Sequence, residues 1–242
     1  MIRGLPLAYT SSQIGFVSTR FATTDGVTLE TKKWVQILRE LGFEVFFFAG
    51  ESDEPAERSY VVPEAHFQHP DVLRITQEVF SGSSRLPATS RRIQELKEML
   101  KDHLYRFVHD FGIDLLIVEN ALAIPLNIPL GLALAEFIAE TGIRTISHDH
   151  DFYWERSRFL VNGVEDLLQA AFPPRLPGIF HVVINSQAAR QLAYRTGLSA
   201  RVIPNVMDFE HPAPEPDAFA RGLRPALGLE PSEFLLLQPT RM

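Results

Sequence analysis

The densest group of chemically capable side chains in this sequence is a run of alternating histidines and aspartates. Its members are His148, Asp149, His150 and Asp151. In an extended segment, alternation sends both histidines to one side of the chain and both aspartates to the other. Such groups can ligate a metal ion, transfer protons or hydrogen-bond a ligand rich in hydroxyl groups. Aromatic residues follow at 152–154, which favours a half-buried pocket over a solvated surface loop.

A second candidate is the pair Asp25–Gly26, which lies between a strand-like pattern and a helical pattern. Glycine lets a ligand approach the backbone, and the start of a helix favours anions or hydroxyl oxygens. The alternative is a simple turn in which Asp25 caps the helix. The sequence contains neither a G-x-G-x-x-G fingerprint nor a Walker A motif, which disfavours dinucleotide and P-loop sites.

Three further polar residues follow predicted strands: Glu119, Asn120 and Ser186. Because the carboxyl ends of parallel strands meet at one edge of a sheet, we expect these residues to face the same crevice. The alternative for Glu119 and Asn120 is an ordinary strand-end cap. For the pair Asn185–Ser186, capping of the following helix is the favoured role, with Ser186 as a candidate cap.

The elements that must position these residues alternate between apolar runs and helical patterns. Strands are predicted at 15–18, 44–49, 115–118, 144–147, 181–184 and 200–203, with a weaker extended segment at 60–62. The first helix is predicted from an apolar stripe that faces the sheet, formed by Trp34, Ile37, Leu38 and Leu41. Three more helices are predicted at 90–111, with Ser90 as its cap, at 129–142, starting at Pro129, and at 186–195. This alternation is typical of a mainly parallel sheet with helices on both faces, so the fold class is α/β and Rossmann-like.

The domain organisation changes after Asp208. We assign residues 1–208 to the Rossmann-like domain. Three prolines within 211–216 predict a stiff linker over 209–232, with a short helix at 219–227. A final apolar run predicts that 233–242 is the first strand of a second domain that this sequence does not continue.

The composition disfavours several classes of protein. A formal net charge of −7 without a cluster of basic residues argues against nucleic acid as a partner. The absence of cysteine excludes disulfides, Cys-ligated zinc and a thiol nucleophile, and it fits a cytoplasmic location. Residues 121–135 are uncharged, but prolines interrupt them, so we expect a buried loop and helix rather than a transmembrane segment.

Four segments occur in an order that resembles the N-terminal domain of the GT-B glycosyltransferases of retaining family 4. They are 24–27, 146–151, the strand end at Asn185–Ser186, and 202–208. The resemblance implies one half of a two-domain enzyme that transfers a sugar from a nucleotide-sugar donor to an acceptor, without a required metal or other cofactor. The first loop departs from the family, since Asp25–Gly26 stands where many members carry Gly-Gly.

The same resemblance implies roles for individual residues. The loop at Asp25–Gly26 would lie near the donor diphosphate and the acceptor. His148 would contact hydroxyl groups of the donor sugar, with His150 as the rival register. Arg241 resembles an arginine that binds donor phosphate. The family's other phosphate- and ribose-binding residues belong to a C-terminal domain, so we expect this chain alone to be nearly inactive.

Two functions from other classes stay open at this point. A metal-dependent hydrolase would use the cluster at 148–151, and about one equivalent of bound metal would favour it. A non-catalytic α/β binding module would be favoured if the gene ended at Met242. The sequence carries no readable pattern for the donor base, the sugar or the acceptor.

Overall fold

A seven-stranded parallel sheet organises the chain. The computed structural model describes residues 12–207, 215–230 and 232–236. The strands are β1 (Gln13–Val17), β2 (Glu44–Ala49), β3 (Ser59–Val61), β4 (Leu115–Glu119), β5 (Arg144–Asp149), β6 (Ile179–Val183) and β7 (Ala200–Val202). They are ordered β3-β2-β1-β4-β5-β6-β7, and each neighbouring pair is parallel. The Rossmann-like α/β prediction is confirmed, and every strand predicted up to residue 203 is present.

Helices cover both faces of this sheet. They are α1 (Gly26–Glu40), α2 (Pro70–Val79), α3 (Pro87–Phe111), α4 (Ile128–Thr141), α5 (Glu165–Ala171) and α6 (Ser186–Thr196). Short 3-10 turns occur at Ala56–Arg58, Pro63–Ala65, Tyr153–Glu155 and Ser157–Phe159. The helices α2 and α5 were not predicted from the sequence, whereas the other four were.

The core divides into two layers because strand residues alternate between the faces of the sheet. One layer, centred on Phe16, Phe47 and Ile117, packs with α1. The other joins Phe48 and Leu116 to α3 and α4. The uncharged stretch 121–135 is a buried loop and the start of α4, as predicted. Within the described residues, no helix combines the length and the apolar character that a membrane crossing requires.

The predicted stripe of α1 is confirmed in part, because Trp34 and Leu38 pack against the core. Ile37 and Leu41 are 56% and 68% exposed, although they were expected to face the sheet. The buried positions of α1 are Thr28, Glu30, Thr31 and Val35. Threonine can take such a place because the Thr31 hydroxyl donates to a carbonyl inside the helix, at 2.8 Å, which leaves its methyl group free to pack.

Two helix starts also differ from the prediction. Helix α3 begins at Pro87, a favoured first helical residue, so Ser90 lies inside the first turn and is not its cap. Helix α6 is capped by Asn185, whose Oδ1 accepts a backbone N–H at 2.8 Å, rather than by Ser186. Left-handed glycines end three of the helices: Gly112, Gly142 and Gly197.

A separate unit begins at Val206. Its described part contains one helix, α7 (Ala218–Ala226), which matches the helix predicted at 219–227. Phe234–Leu236 carry no strand pairing in the part of the chain that the structure describes. Arg241 and the rest of 237–242 lie outside the described residues, as do residues 208–214. The linker at 209–232 and the strand at 233–242 therefore stay predictions.

Gly50 brings the end of β2 against the segment that leads to α2. A Cβ atom at this position would lie 2.1 Å from the backbone nitrogen of His66, far inside any real contact. Because the nearest atom belongs to the backbone, it cannot move aside as a side chain could by changing rotamer. Gly50→Ala is therefore expected to lower the free energy of unfolding by about 1–3 kcal/mol, measured by urea denaturation.

Gly82→Ala is the matched control for Gly50→Ala. A Cβ atom at Gly82 would meet no atom within 4 Å. This variant is expected to stay within about 0.5 kcal/mol of the wild type. Equal stability of both variants would contradict the close approach of Gly50 and His66.

Candidate functional site

The site begins where β4 and β5 end side by side. Glu119, the last residue of β4, pairs in register with His148 of β5, and both side chains lie on the face of the sheet that α1 covers. Asn120 then turns the chain with a left-handed φ of 58°. Its Oδ1 accepts the backbone N–H of His150 at 2.8 Å. Strand pairing and this turn therefore bring the two histidines to one carboxylate.

Glu119, His148 and His150 form what we call the histidine cluster. The Glu119 carboxylate lies 3.0 Å from Nδ1 of His148 and 3.3 Å from Nε2 of His150. The two imidazole rings are 4.6 Å apart, and the ring of Trp34 on α1 packs 4.5 Å from that of His148. Glu119 and His148 are fully buried, whereas the His150 side chain is 11% exposed. Only His150 thus reaches the surface from this cluster.

The electrostatics of the cluster favour a charged pair. Burial raises the pKa of Glu119, but the hydrogen bonds from His148 and His150 outweigh it and hold that pKa below its ordinary value. Burial lowers the pKa of His148, and its hydrogen bond and attraction to Glu119 outweigh this and raise it. The buried Glu30 of α1 adds to the attraction that raises the pKa of His148.

The second nitrogen of each histidine differs in its surroundings. Nε2 of His148 is buried and has no hydrogen-bond partner among the residues that the structure describes. Nδ1 of His150 lies 3.5 Å from Nδ2 of Asn205, which can donate to it. Asn205 belongs to the segment 202–208, so two of the segments that carried the family resemblance meet at His150.

Asp149 does not join the histidine cluster. Its side chain lies on the opposite face of β5, where it accepts hydrogen bonds from Ser147 at 2.7 Å and from His181 at 3.2 Å. All three residues are buried. Asp151 pairs instead with Arg156. The predicted alternation is therefore confirmed, since it separates Asp149 from the two histidines. A catalytic role for Asp149 stays a prediction.

The loop after β1 is fixed by Asp25, the cap of α1. Its Oδ1 accepts the backbone N–H groups of Val27 and Thr28, and its Oδ2 accepts from Arg20 at 3.0 Å. Burial raises the pKa of Asp25, but these hydrogen bonds outweigh it and lower that pKa. A Cβ atom at Gly26 would meet no atom within 4 Å, so space is open there. Capping is thus present, and a ligand contact of this loop stays a prediction.

Two polar groups in this region were missed in the sequence. Arg20 follows β1 at the same sheet edge, so the strand-end rule that found Glu119 would also have found it. His181 lies within β6 and carries no local signal, because its partner Asp149 comes from another strand.

The remaining predicted residues are distributed along the same edge. The Asn120 side chain accepts the backbone N–H of His150. Ser186 is exposed at the start of α6. An open depression of about 470 Å³ follows β5 and β6, lined by Trp154, Glu155, Asn185, Gln187, Gln191 and Arg195. It lies where a crevice was predicted, but none of its lining residues belongs to the histidine cluster.

One set of described residues could hold a metal ion. Glu119, His148 and His150 offer ligand atoms that all lie within 4.8 Å of one another. This is not the set that a hydrolase based on residues 148–151 would use, because Asp149 and Asp151 do not contribute. Nδ1 of His148 and Nε2 of His150 already hydrogen-bond to the Glu119 carboxylate.

Comparison with known proteins gives a consistent picture. The family model described as Glycosyltransferase Family 4 matches residues 25–211. Two mannosylglucosylglycerate synthases, from Thermotoga maritima and Petrotoga mobilis, are each 31% identical over 234 residues. These alignments cover 95% of this chain and 53% of each relative, so the chain spans about half the length of the curated relatives it matches.

A distant neighbour of this chain occurs among the solved structures. It is an α-glucosyltransferase in complex with UDP and a 13-mer DNA containing an HMU base. The superposition covers 71% of this chain and 38% of the neighbour, with 16% sequence identity and a TM-score of 0.37.

Proposed function

The chain belongs to glycosyltransferase family 4, and from this premise we propose that it is the N-terminal half of a retaining GT-B glycosyltransferase. The whole enzyme transfers a sugar from a nucleotide-sugar donor to an acceptor in the cleft between two domains. The observation that carries this proposal is the histidine cluster, which lies at the carboxyl edge of a parallel sheet and inside the matched residues 25–211.

The two relatives support a finer choice of substrates. Their names describe the attachment of mannose to a glucosylglycerate. We therefore propose a mannose nucleotide as donor and glucosylglycerate as acceptor. The cytoplasm is the proposed location, in keeping with a chain that has no cysteine.

Within this reaction we assign direct sugar contact to His150. A fully buried ring offers a ligand no surface, whereas the His150 side chain is partly exposed. Glu119 and His148 then act as positioning residues that hold the His150 ring through hydrogen bonds and packing. The sequence analysis favoured His148 for this contact and named His150 as the alternative, and the alternative is proposed here.

The leaving group makes a separate demand. As the bond between the anomeric carbon and the donor oxygen breaks, negative charge develops on the diphosphate, and preorganised cations must meet it. We propose that these cations come from the C-terminal half of the enzyme, beginning with Arg241. The backbone at Asp25–Gly26, beside the start of α1, would contribute N–H groups toward the donor or the acceptor.

Transfer by the full-length protein tests the function. The protein is incubated with glucosylglycerate and either GDP-mannose or UDP-glucose, and the product is identified by mass spectrometry. We expect a mannosyl product whose new linkage keeps the configuration of the donor, read from the anomeric proton by NMR. His150→Ala protein purified in the same way controls for a contaminating activity. No transfer from either nucleotide sugar would contradict the proposal.

A further inference from the structure

Arg20 is a cation at the edge of the sheet that carries the histidine cluster. It follows β1 by three residues, and its neighbour Ser18 donates a hydrogen bond to the backbone oxygen of Glu119 at 3.2 Å. The Arg20 side chain is only 17% exposed. A guanidinium withdrawn this far from water is costly unless its N–H groups find acceptors.

The surroundings of Arg20 fix its position without using most of its donors. Asp25 accepts one hydrogen bond from Nη2, at 3.0 Å, and the Phe67 ring lies 5.2 Å from Cζ. Asp25 is held in turn by the N–H groups of α1 and by the Thr28 hydroxyl, so it cannot follow the guanidinium elsewhere. Arg20 is therefore oriented by groups that belong to the fold.

The remaining N–H groups of Arg20 have no acceptor within the described residues. Guanidinium carries five N–H donors, and the bond to Asp25 uses Nη2 alone. Nε is buried and lacks a partner. Buried polar groups in native proteins nearly always have a partner, so an oriented guanidinium with a buried, unpaired Nε indicates a ligand oxygen.

The chemistry of the guanidinium restricts the ligand. Its planar fork matches the two oxygens of a carboxylate or a phosphate. Gly26, next to Asp25, is exposed at the start of α1, and a Cβ atom there would meet no atom within 4 Å. We propose that Arg20 binds the carboxylate of the acceptor and selects acceptors that carry one. This inference rests on the proposed function, in which the acceptor is a glycerate glycoside.

A pair of acceptors that differ only in the anionic group tests the proposal. In glucosylglycerol, a hydroxymethyl group replaces the carboxylate of glucosylglycerate. The full-length wild type is expected to prefer glucosylglycerate by about 10- to 100-fold in kcat/KM. Arg20→Gln should remove most of this preference by lowering kcat/KM for glucosylglycerate alone, with the KM of the donor unchanged. Arg20→Lys, which keeps the charge and loses the fork, should fall between the two.

Control variants distinguish acceptor binding by Arg20 from a role in folding or in donor binding. Arg91→Gln, a change of the same type at an exposed position, should leave both acceptors unaffected. If Arg20→Gln weakens both acceptors equally or raises the KM of the donor, Arg20 serves the fold or the donor diphosphate instead, and the proposal is wrong. Thermal melting of each variant identifies loss of folding.

A binding measurement keeps the test independent of turnover. Isothermal calorimetry of the full-length protein with glucosylglycerate should show binding that Arg20→Gln weakens by about 10-fold or more. Binding that depends on Arg20 without any sugar transfer would retain the carboxylate site and reject the proposed function. Binding that is absent, or equal in wild type and variant, would overturn the carboxylate site.

Discussion

His150→Ala in the full-length protein is expected to lower turnover by about 30- to 1000-fold, which corresponds to about 2–4 kcal/mol of transition-state stabilisation. The His150 ring is held by Glu119 and reaches the surface at the carboxyl edge, where a sugar can meet it. Stability should change little, by about 1 kcal/mol, because the ring is already partly exposed. The measurements are kcat at saturating donor and acceptor, and the free energy of unfolding in urea.

His148→Ala is the matched comparison for this prediction. The change empties a fully buried position between Trp34 and His150, and it leaves Glu119 without its main partner. We expect a loss of about 2–4 kcal/mol in unfolding free energy and a smaller loss of turnover per folded molecule. If His148→Ala lost more turnover than His150→Ala, His148 would be the residue that contacts the sugar. If both variants kept near wild-type turnover, the histidine cluster would have no role in the reaction.

The sheet was predictable because its strands are buried on both faces. Such strands appear in the sequence as short apolar runs, as β4 does at Leu115–Glu119, and they need no alternating pattern. Glycines that stop helices, such as Gly112, are equally local signals. The strand-end rule then predicted which edge carries the polar residues, although it did not predict their partners.

The contacts inside the site depend on pairings that are distant in sequence. Glu119 contacts His148 only because β4 and β5 are neighbouring strands that pair in register. Asp149 contacts His181 only because β6 is the other neighbour of β5 in the sheet. The buried face of α1 was predicted only in part, since Trp34 and Leu38 pack against the core but Ile37 and Leu41 do not. Threonine positions complete the buried face instead. Periodicity alone does not distinguish between two stripes that both fit a helix.

Replacing Glu119 is expected to cost more stability than any other change in the histidine cluster. Its carboxylate is fully buried and is the shared acceptor of His148 and His150. Glu119→Leu leaves Nδ1 of His148 buried without a partner, so we expect a loss of about 3–5 kcal/mol in the free energy of unfolding. Glu119→Gln keeps the size and one acceptor oxygen and should lose less. Urea denaturation of the full-length variants measures both effects.

The cost of Glu119→Gln should depend on pH, with a sign that follows from the two pKa shifts. Folding lowers the pKa of Glu119, so its stabilising contribution is present above about pH 4.5 and is lost as the pH falls through the folded pKa. Folding raises the pKa of His148, so that contribution is present below about pH 6.5 and is lost as the pH rises through the folded pKa. The loss caused by Glu119→Gln should therefore be largest near pH 5.5 and smaller at pH 9.

A variant at an exposed glutamate separates this effect from the general loss of one negative charge. Glu57 is exposed, and Glu57→Gln removes the same charge at a position without a hydrogen bond or ion pair to a histidine in the described structure. Its effect on the unfolding free energy should stay within about 0.5 kcal/mol. If the loss caused by Glu119→Gln were the same at pH 5.5 and pH 9, Glu119 and His148 would not form a charged pair. The cluster would then be a neutral hydrogen-bonded network, and the positioning of His150 would not depend on charge.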